Sequence, residues 1–329
     1  MKKIIITGAT GFIGGFIAAA AVKRGWQVYV AARKSSDLRY IQHLPINLIE
    51  LNYQNVDQLT EKLLEIKPNY IIHNAGLTKA PSQKAFDEVN ADYTENLALA
   101  SVKSNIGLEK FVFMSSLASY GPADNHGVEV VNASCVPHPV TMYGKSKLKA
   151  EQKIMAIVGL PYVILRPTAV YGPREKDLFS VFKMVASGFS MFSGNGKQKL
   201  TFVFVADLVE WIMRCTENSL TSKSYFVCDG KTYSSTELNS FISKNLNKKT
   251  LKIGLPLWLV TVAGYCSEWV GKLSGKLPAL NIDKLNEIKA NNWQCDVDPL
   301  VEDTGYKAAY FLEDGIKETV NWYKENNWL

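Results

Sequence analysis

A glycine-rich turn near the start of the chain constrains the fold more than any other feature. The run Thr7-Gly8-Ala9-Thr10-Gly11-Phe12-Ile13-Gly14 follows a short apolar strand and opens a helical pattern. Gly8 permits the tight turn, Gly11 lets the backbone approach a pyrophosphate, and Gly14 allows close helix–strand packing. Free N–H groups and the helix dipole favour an anion there. The turn therefore predicts a dinucleotide site contacted by Gly8, Thr10, Gly11, Phe12, Ile13 and Gly14.

The first half of the chain alternates short apolar runs with longer periodic segments, which is typical of βαβ units. The segments Val56–Ile66 and Asn90–Ser104 are predicted helices. Because the apolar runs are short and continuous, we expect a sheet covered on both faces. The predicted fold class is α/β, a Rossmann-like doubly wound parallel sheet with a smaller, mostly helical substrate-binding lobe. The predicted strands are Lys3–Thr7, Gln27–Ala31, Asn47–Glu50, Tyr70–Asn74, Lys110–Ser115 and Tyr162–Pro167.

The regular alternation of apolar runs and helical segments becomes weaker after residue 173. A strand–helix stretch at Phe202–Cys215 and a strand at Tyr225–Cys228 are predicted to return to the first sheet. We therefore predict an NADP(H)-binding domain over residues 1–173, rejoined by 201–230, and a substrate-binding lobe from 174–200 and 231–329. The apolar run Leu255–Ala263 is too short to span a bilayer. It is interpreted as a packed lid or core helix, with a membrane-surface contact as the alternative.

Composition and charge exclude several classes of protein. Net charge is +6, but the arginines form no cluster in the sequence, so a nucleic-acid partner is not expected. The five cysteines include no CxxC pair, which argues against a disulfide framework or a zinc site and suits a reducing compartment. We expect a cytoplasmic protein with a small-molecule substrate, no metal and no membrane span.

The end of the second predicted strand bears on which dinucleotide is bound. NAD sites usually place Asp or Glu there to bind the ribose hydroxyls, whereas here Ala32 is followed by Arg33 and Lys34. Arg33 can bind a 2′-phosphate through its forked guanidinium, and Lys34 can add a contact. NADP(H) is therefore favoured; NAD(H) and an ordinary solvated charge run stay open as alternatives.

Tyr143 and Lys147 are spaced four residues apart in a predicted helix, so their side chains share one face. The pKa of an unperturbed tyrosine is near 10, which makes it a poor acid or base at neutral pH. A neighbouring ammonium favours the phenolate and lowers that pKa. A Tyr and a Lys four residues apart are common by chance. Here the pair follows the glycine turn and Ser115-Ser116 at a strand end, and this order of motifs strengthens the prediction of a catalytic pair.

This set of motifs resembles the extended branch of the short-chain dehydrogenase/reductase family, which includes NAD(P)-dependent epimerases and dehydratases. The resemblance covers essentially the whole chain. Its matching segments are TGATGFIG at 7–14, HNAG at 73–76, FVFMSSLASYGP at 111–122, YGKSK at 143–147, LRPTAVYGP at 165–173 and GNGKQKLTFVFVADL at 194–208.

The resemblance implies a role for each matching position. Tyr143 would be the general acid or base and would also contact the cofactor, Lys147 would hold the nicotinamide ribose, and Ser116 would hydrogen-bond the reacting oxygen. Asn52 stands where many relatives carry an Asp near the adenine. The remaining residues implied to contact the cofactor are Asn74, Ala75, Gly76, Ser115, Pro167 and Thr168, with Arg166 beside the last two.

The resemblance leaves three functions open. No arginine follows Arg214, and Leu200 stands where nucleotide-sugar enzymes carry a phosphate-binding arginine. The favoured function is therefore NADP(H)-dependent interconversion of a secondary alcohol and ketone on a hydrophobic substrate, as in 3β-hydroxysteroid dehydrogenases and dihydroflavonol reductases. The alternatives are a nucleotide-sugar epimerase, dehydratase or reductase, and a non-catalytic NADP-binding protein. Family members are commonly dimers, which leaves a homodimer open. Aromatic residues that suit an apolar pocket are Phe179, Phe182, Phe189, Phe192, Trp258, Tyr265 and Trp269.

Overall fold

The computed structural model describes the backbone of residues 1–124, 126–194, 196–274 and 281–329, with all of their side chains except 269–274. Asn195 of the 194–208 motif and the side chain of Trp269 therefore lie outside the described part. The strands are β1 (Lys3–Thr7), β2 (Gln27–Ala31), β3 (Ile46–Ile49), β4 (Tyr70–His73), β5 (Lys110–Met114), β6 (Tyr162–Pro167), β7 (Ala169–Tyr171), β8 (Phe189–Ser193), β9 (Phe202–Phe204), β10 (Lys223–Val227) and β11 (Leu251–Leu255).

The helices lie between these strands and complete the chain. A π-helical turn (Glu88–Asp92) and a 3₁₀ turn (Leu117–Ser119) accompany them. The α-helices are α1 (Phe12–Lys23), α2 (Val56–Ile66), α3 (Gln83–Asp87), α4 (Tyr93–Lys103), α5 (Met142–Ala156), α6 (Phe179–Ala186), α7 (Val205–Glu217), α8 (Ser235–Leu246), α9 (Leu257–Ser274), α10 (Ile282–Lys289), α11 (Asp298–Thr304) and α12 (Leu312–Glu325).

Seven parallel strands form the main sheet, in the order β10-β6-β5-β4-β1-β2-β3. Alternate side chains enter two separate cores: Ile4 and Ile6 face one layer of helices, and Ile5 faces the other. This arrangement confirms the predicted fold class. The order reverses between β1 and β4, and ligands of such sheets bind outside the carboxyl ends of the strands at this point.

The second lobe contains two small parallel sheets besides its helices. β9 was expected to rejoin the main sheet but pairs instead with β7, and β8 pairs with β11. The helix that follows β9 does pack on the main core through Leu208 and Trp211, and β10 forms the sheet edge. Phe182 packs in the core of this lobe.

Helix α9 contains the apolar run that was expected to be packed. This prediction of a packed helix is wrong for most of the first three turns of α9, because Trp258, Val262 and Tyr265 are exposed. None of the helices within the described ranges is both long enough and apolar enough to cross a membrane.

Candidate functional site

A cleft of about 1650 Å³ opens at the carboxyl ends of the main-sheet strands. Its lining joins the glycine turn to the end of β4 and to the start of α5. Predicted site residues that line it are Gly8, Thr10, Gly11, Phe12, Ile13, Arg33, Asn52, Asn74, Ala75, Gly76, Ser115, Ser116, Tyr143, Lys147, Pro167 and Thr168. Gly14 and Lys34 are not among the lining residues.

The glycine turn leaves no room for side chains at two positions. Gly8 has φ +69°, and a Cβ there would lie 2.8 Å from the carbonyl oxygen of Asn74. A Cβ on Gly14 would lie 2.1 Å from the carbonyl oxygen of Gly8, so Gly14 serves close packing. Because α1 begins at Phe12 with Gly11 as its N-cap, its free N–H groups face the cleft, where an anion is favoured.

Cationic and amide side chains border the cleft beyond β2. Arg33 is exposed along the cleft wall and Arg39 pairs with Asp37. Asn52 donates a hydrogen bond of 2.9 Å to Gln58. Lys34 is exposed outside the lining, so it is not positioned like Arg33.

The start of α5 positions the tyrosine and the lysine. Thr141 caps the helix by accepting a 2.9 Å hydrogen bond from the N–H of Gly144. One helical turn separates Tyr143 and Lys147, and both line the cleft with Ser116. Ser116 caps the 3₁₀ turn that follows β5. The structure therefore brings the three predicted catalytic side chains to one cleft.

Burial has the largest effect on the pKa values of Tyr143 and Lys147. It raises the pKa of Tyr143 to about 12, although a hydrogen bond with Ser116 opposes the rise. Burial lowers the pKa of Lys147 to about 8, and its Nζ donates a 2.7 Å hydrogen bond to the carbonyl oxygen of Met114. The pKa of Tyr143 thus moves opposite to the direction expected from the lysine, because burial raises it and the charge of Glu287 adds to the rise.

A buried histidine fixes the floor of the cleft. His73 Nδ1 lies 2.8 Å from Thr7 Oγ1 and its Nε2 lies 2.9 Å from Thr94 Oγ1. Thr7 Oγ1 also accepts a 3.0 Å hydrogen bond from the N–H of Ala75. Burial, and then the charge of Lys147, lower the pKa of His73 to about 3. His73 is therefore a neutral, structural link between β1, β4 and α4.

We expect this histidine to make stability depend on pH. Its pKa is lower in the folded chain than the unfolded value of about 6.5, so the unfolded chain takes up the proton first as pH falls. Stability is complete above that value and declines below it, by roughly 2 kcal/mol between pH 7.5 and 5. Denaturant unfolding of His73→Gln should show a correspondingly smaller loss between these pH values. An equal loss in His73→Gln and in the exposed control His43→Gln contradicts this assignment.

Two residues were not predicted from the sequence: Arg174, which lines the cleft, and Asn90, which holds a residue of its lining. Arg174 has φ +76°, and its guanidinium lies between the rings of Phe16 and Tyr40, 4.7 and 4.5 Å from their centroids. Its Nε is buried without a hydrogen-bond partner within the described part of the chain. Asn90 is fully buried and holds the main chain of Leu77 through both its amide atoms. The sequence feature that could have pointed to Arg174 is its position directly after Gly172-Pro173. The feature that could have pointed to Asn90 is an asparagine within a helical pattern.

Arg166, expected beside the nicotinamide, instead forms a buried ion pair behind the cleft. Its Nη2 lies 2.8 Å from Glu151 Oε2, and the two side chains are 3% and 0% exposed. Ser115 and Ser119 donate hydrogen bonds to the other carboxylate oxygen of Glu151. The hydroxyl of Ser115 therefore points to this pair, whereas Ser116 is left at the cleft.

A family model described as "NAD dependent epimerase/dehydratase family" matches residues 4–228. UDP-glucose 4-epimerase of Vibrio cholerae is 27% identical over 99% of this chain and 97% of its own. Ceramide reductase of Caulobacter vibrioides is 25% identical over 99% and 96%. A UDP-glucose 4-epimerase from Thermotoga maritima, solved with UDP-glucose, superposes with a TM-score of 0.80 at 20% identity over 99% of both chains. This superposition supports the fold.

Proposed function

Because this chain belongs to the NAD-dependent epimerase/dehydratase family, we propose that it inverts a secondary hydroxyl of a diphosphate-linked sugar in a redox-neutral cycle. The observation that carries the proposal is one cleft lined by the glycine turn and by Ser116, Tyr143 and Lys147. The similarity of nearly the whole chain to a UDP-glucose 4-epimerase supports the sugar substrate.

The chain's own residues supply proton transfer and positioning. A nicotinamide dinucleotide held by the glycine turn and Lys147 would supply reversible hydride transfer at the carbon that bears the reacting hydroxyl, and inversion would require the hydride to return to the opposite face of that carbon. Tyr143 takes the hydroxyl proton as the carbonyl forms and gives it back. Ser116 donates a hydrogen bond to the reacting oxygen. The ammonium of Lys147 favours the phenolate against the effect of burial and binds the ribose.

The cleft suits a dinucleotide on grounds of its own residues. The start of α1 and the backbone around Gly8 and Gly11 form the pyrophosphate site. Arg174 adds a cation there, since its Nη1 lies 3.6 Å from where a Cβ of Gly15 would sit and its Nε has no partner among the described residues. The remaining contacts come from Asn52, Asn74, Ala75, Gly76, Pro167 and Thr168.

Arg33 distinguishes the two dinucleotides in this proposal, because it lies at the adenosine end where a 2′-phosphate would be placed. We expect Arg33→Ala to weaken NADPH binding by roughly 10–100-fold, the worth of a charge-assisted hydrogen bond, and to leave NADH binding unchanged. Fluorescence titration with both cofactors measures this. Lys34→Ala, exposed and outside the cleft, is the matched control. Equal losses for NADPH and NADH in Arg33→Ala would rule out 2′-phosphate recognition.

A second candidate is reduction of a ketone on an apolar lipid. It is favoured by the absence of any arginine after Arg214, which leaves lysines for substrate phosphates in the 231–329 part of the second lobe. It is also supported by the similarity to ceramide reductase. This candidate consumes NAD(P)H, whereas the proposed cycle does not.

The two candidates separate in one assay. We would incubate the protein with UDP-linked and polyprenyl-diphosphate-linked hexoses, and in parallel with keto-lipids plus NADPH or NADH. The proposal predicts inversion of a sugar hydroxyl, seen by NMR, without net change in reduced nicotinamide. Stoichiometric consumption of reduced nicotinamide with a keto-lipid, and no change in any sugar, would establish the second candidate instead.

A further inference from the structure

The first three turns of α9 direct apolar side chains into solvent. Trp258, Val262 and Tyr265 follow the spacing i, i+4, i+7 and form one stripe, 65%, 52% and 56% exposed. Leu257 and Leu259, on either side of Trp258 at the start of the helix, are 42% and 43% exposed. We name these five side chains the α9 face.

The opposite side of α9 attaches the helix to the protein through smaller groups. Gly264 is buried against Leu285 of α10, since a Cβ there would lie 2.4 Å from a Leu285 methyl carbon. Val260 and Thr261 are half-buried. A surface helix normally turns its apolar side to the core, and this one does the reverse. Contiguous exposed apolar side chains of this kind mark an interaction surface.

The charged residues that are close to the α9 face in the sequence indicate the chemistry of its partner. Residues 238–267 contain no acidic side chain, and residues 253–267 contain no charged side chain at all. Lys248 and Lys249 are exposed before β11, and Lys252 is exposed within this strand, which leads into α9. Lysines beside an apolar helix that carries Trp and Tyr complement anionic headgroups and the interface beneath them.

Helix α10, which packs against the opposite side of α9, contacts the start of the helix that carries Tyr143. On α10, the Asp283 carboxylate accepts hydrogen bonds of 3.1 and 2.9 Å from the N–H of Met142. Asn286 donates a 3.0 Å hydrogen bond to the carbonyl oxygen of Val140. Helix α10 therefore links α9 to the start of α5 at the cleft.

We propose that the α9 face, with Lys248, Lys249 and Lys252, binds the surface of an anionic lipid bilayer. The helix lies along the interface with Trp258, Val262 and Tyr265 in the headgroup and upper acyl region. Bilayer binding stands apart from the proposed function. Only its consequence, access of a lipid-borne substrate to the cleft, rests on that function.

Co-sedimentation of the full chain with vesicles tests the proposal. We expect binding to phosphatidylglycerol-containing vesicles and much weaker binding to pure phosphatidylcholine. Replacing Lys248, Lys249 and Lys252 by alanine should weaken binding about five-fold per lysine. Trp258→Glu with Val262→Glu should weaken it by on the order of 100-fold, because two buried apolar side chains are lost. Val158→Glu, which alters a 91% exposed valine after α5, should bind like wild type.

Three results would overturn the proposal. The first is equal binding by wild type and by Trp258→Glu/Val262→Glu. The second is a self-association, seen by analytical ultracentrifugation, that the same variant abolishes, since the face would then contact a second copy of the chain. The third is unchanged vesicle binding with reduced turnover of lipid-linked substrates, which would make the face a substrate contact. Trp258→Phe should retain vesicle binding, and NADPH titration of every variant verifies its fold independently of turnover.

Discussion

Replacing Tyr143 by phenylalanine will lower turnover by about 10²–10⁴-fold, because the ring remains while the proton-transferring hydroxyl is lost. Cofactor affinity should change little, since the other proposed cofactor contacts, among them those of the glycine turn, Lys147 and Thr168, all remain. The measurement is a rate with saturating substrate beside a binding titration with NAD(P)H.

The matched control is Tyr162→Phe. It removes a hydroxyl at the amino end of β6, whereas the cleft lies at the carboxyl ends of the strands. Full activity of Tyr143→Phe would exclude Tyr143 as the acid or base. Equal losses in Tyr143→Phe and Tyr162→Phe would show that the effect is general destabilisation.

Replacing Arg166 by methionine will destabilise the fold by about 3–5 kcal/mol, because the Glu151 carboxylate is left buried without its cation. Arg166 also stacks on Tyr120, 4.5 Å from its ring centroid, and that contact is lost as well. The expected fall in melting temperature is on the order of 5–10 °C.

The double variant Arg166→Met/Glu151→Met separates this cause from loss of packing. It should recover much of the lost stability, since both charges of the Arg166–Glu151 pair are removed together. If the double variant is as unstable as Arg166→Met, the stacking on Tyr120 and not the ion pair accounts for the loss.

Local pattern predicted the main sheet well. β1, β2, β6 and α2 have the predicted bounds, and β3 differs by one residue at each end. The glycine turn, the strand before it and the α5 spacing are all short-range features, so a single sequence is enough to find them. The predicted helix at 90–104 is preceded and partly replaced by a π-helical turn at Glu88–Asp92.

Contacts between residues far apart in the chain could not be predicted from the sequence. Nothing in the chain indicates that Arg166 would turn from the cleft to pair with Glu151, because the pair joins two elements through tertiary packing. Arg174 likewise meets Phe16 and Tyr40 only after folding. The exposure of α9 was missed because a continuously apolar segment has no periodicity to show which side is covered.

The substrate preference inferred from the sequence is reversed in our proposal. The sequence favoured an apolar alcohol because the second lobe lacks arginine after Arg214. The similarity to a UDP-glucose 4-epimerase favours the sugar. Both inferences agree on the chemistry at Tyr143, which is reversible oxidation of a secondary hydroxyl.

The most direct test of that chemistry uses UDP-linked and polyprenyl-diphosphate-linked hexoses that carry deuterium on the carbon to be inverted. Our account predicts an epimer that keeps its deuterium at the same carbon in ordinary water, with no net change in reduced nicotinamide and no product from Tyr143→Phe. An epimer that loses the deuterium to solvent, or no epimer from any diphosphate-linked sugar, would contradict it.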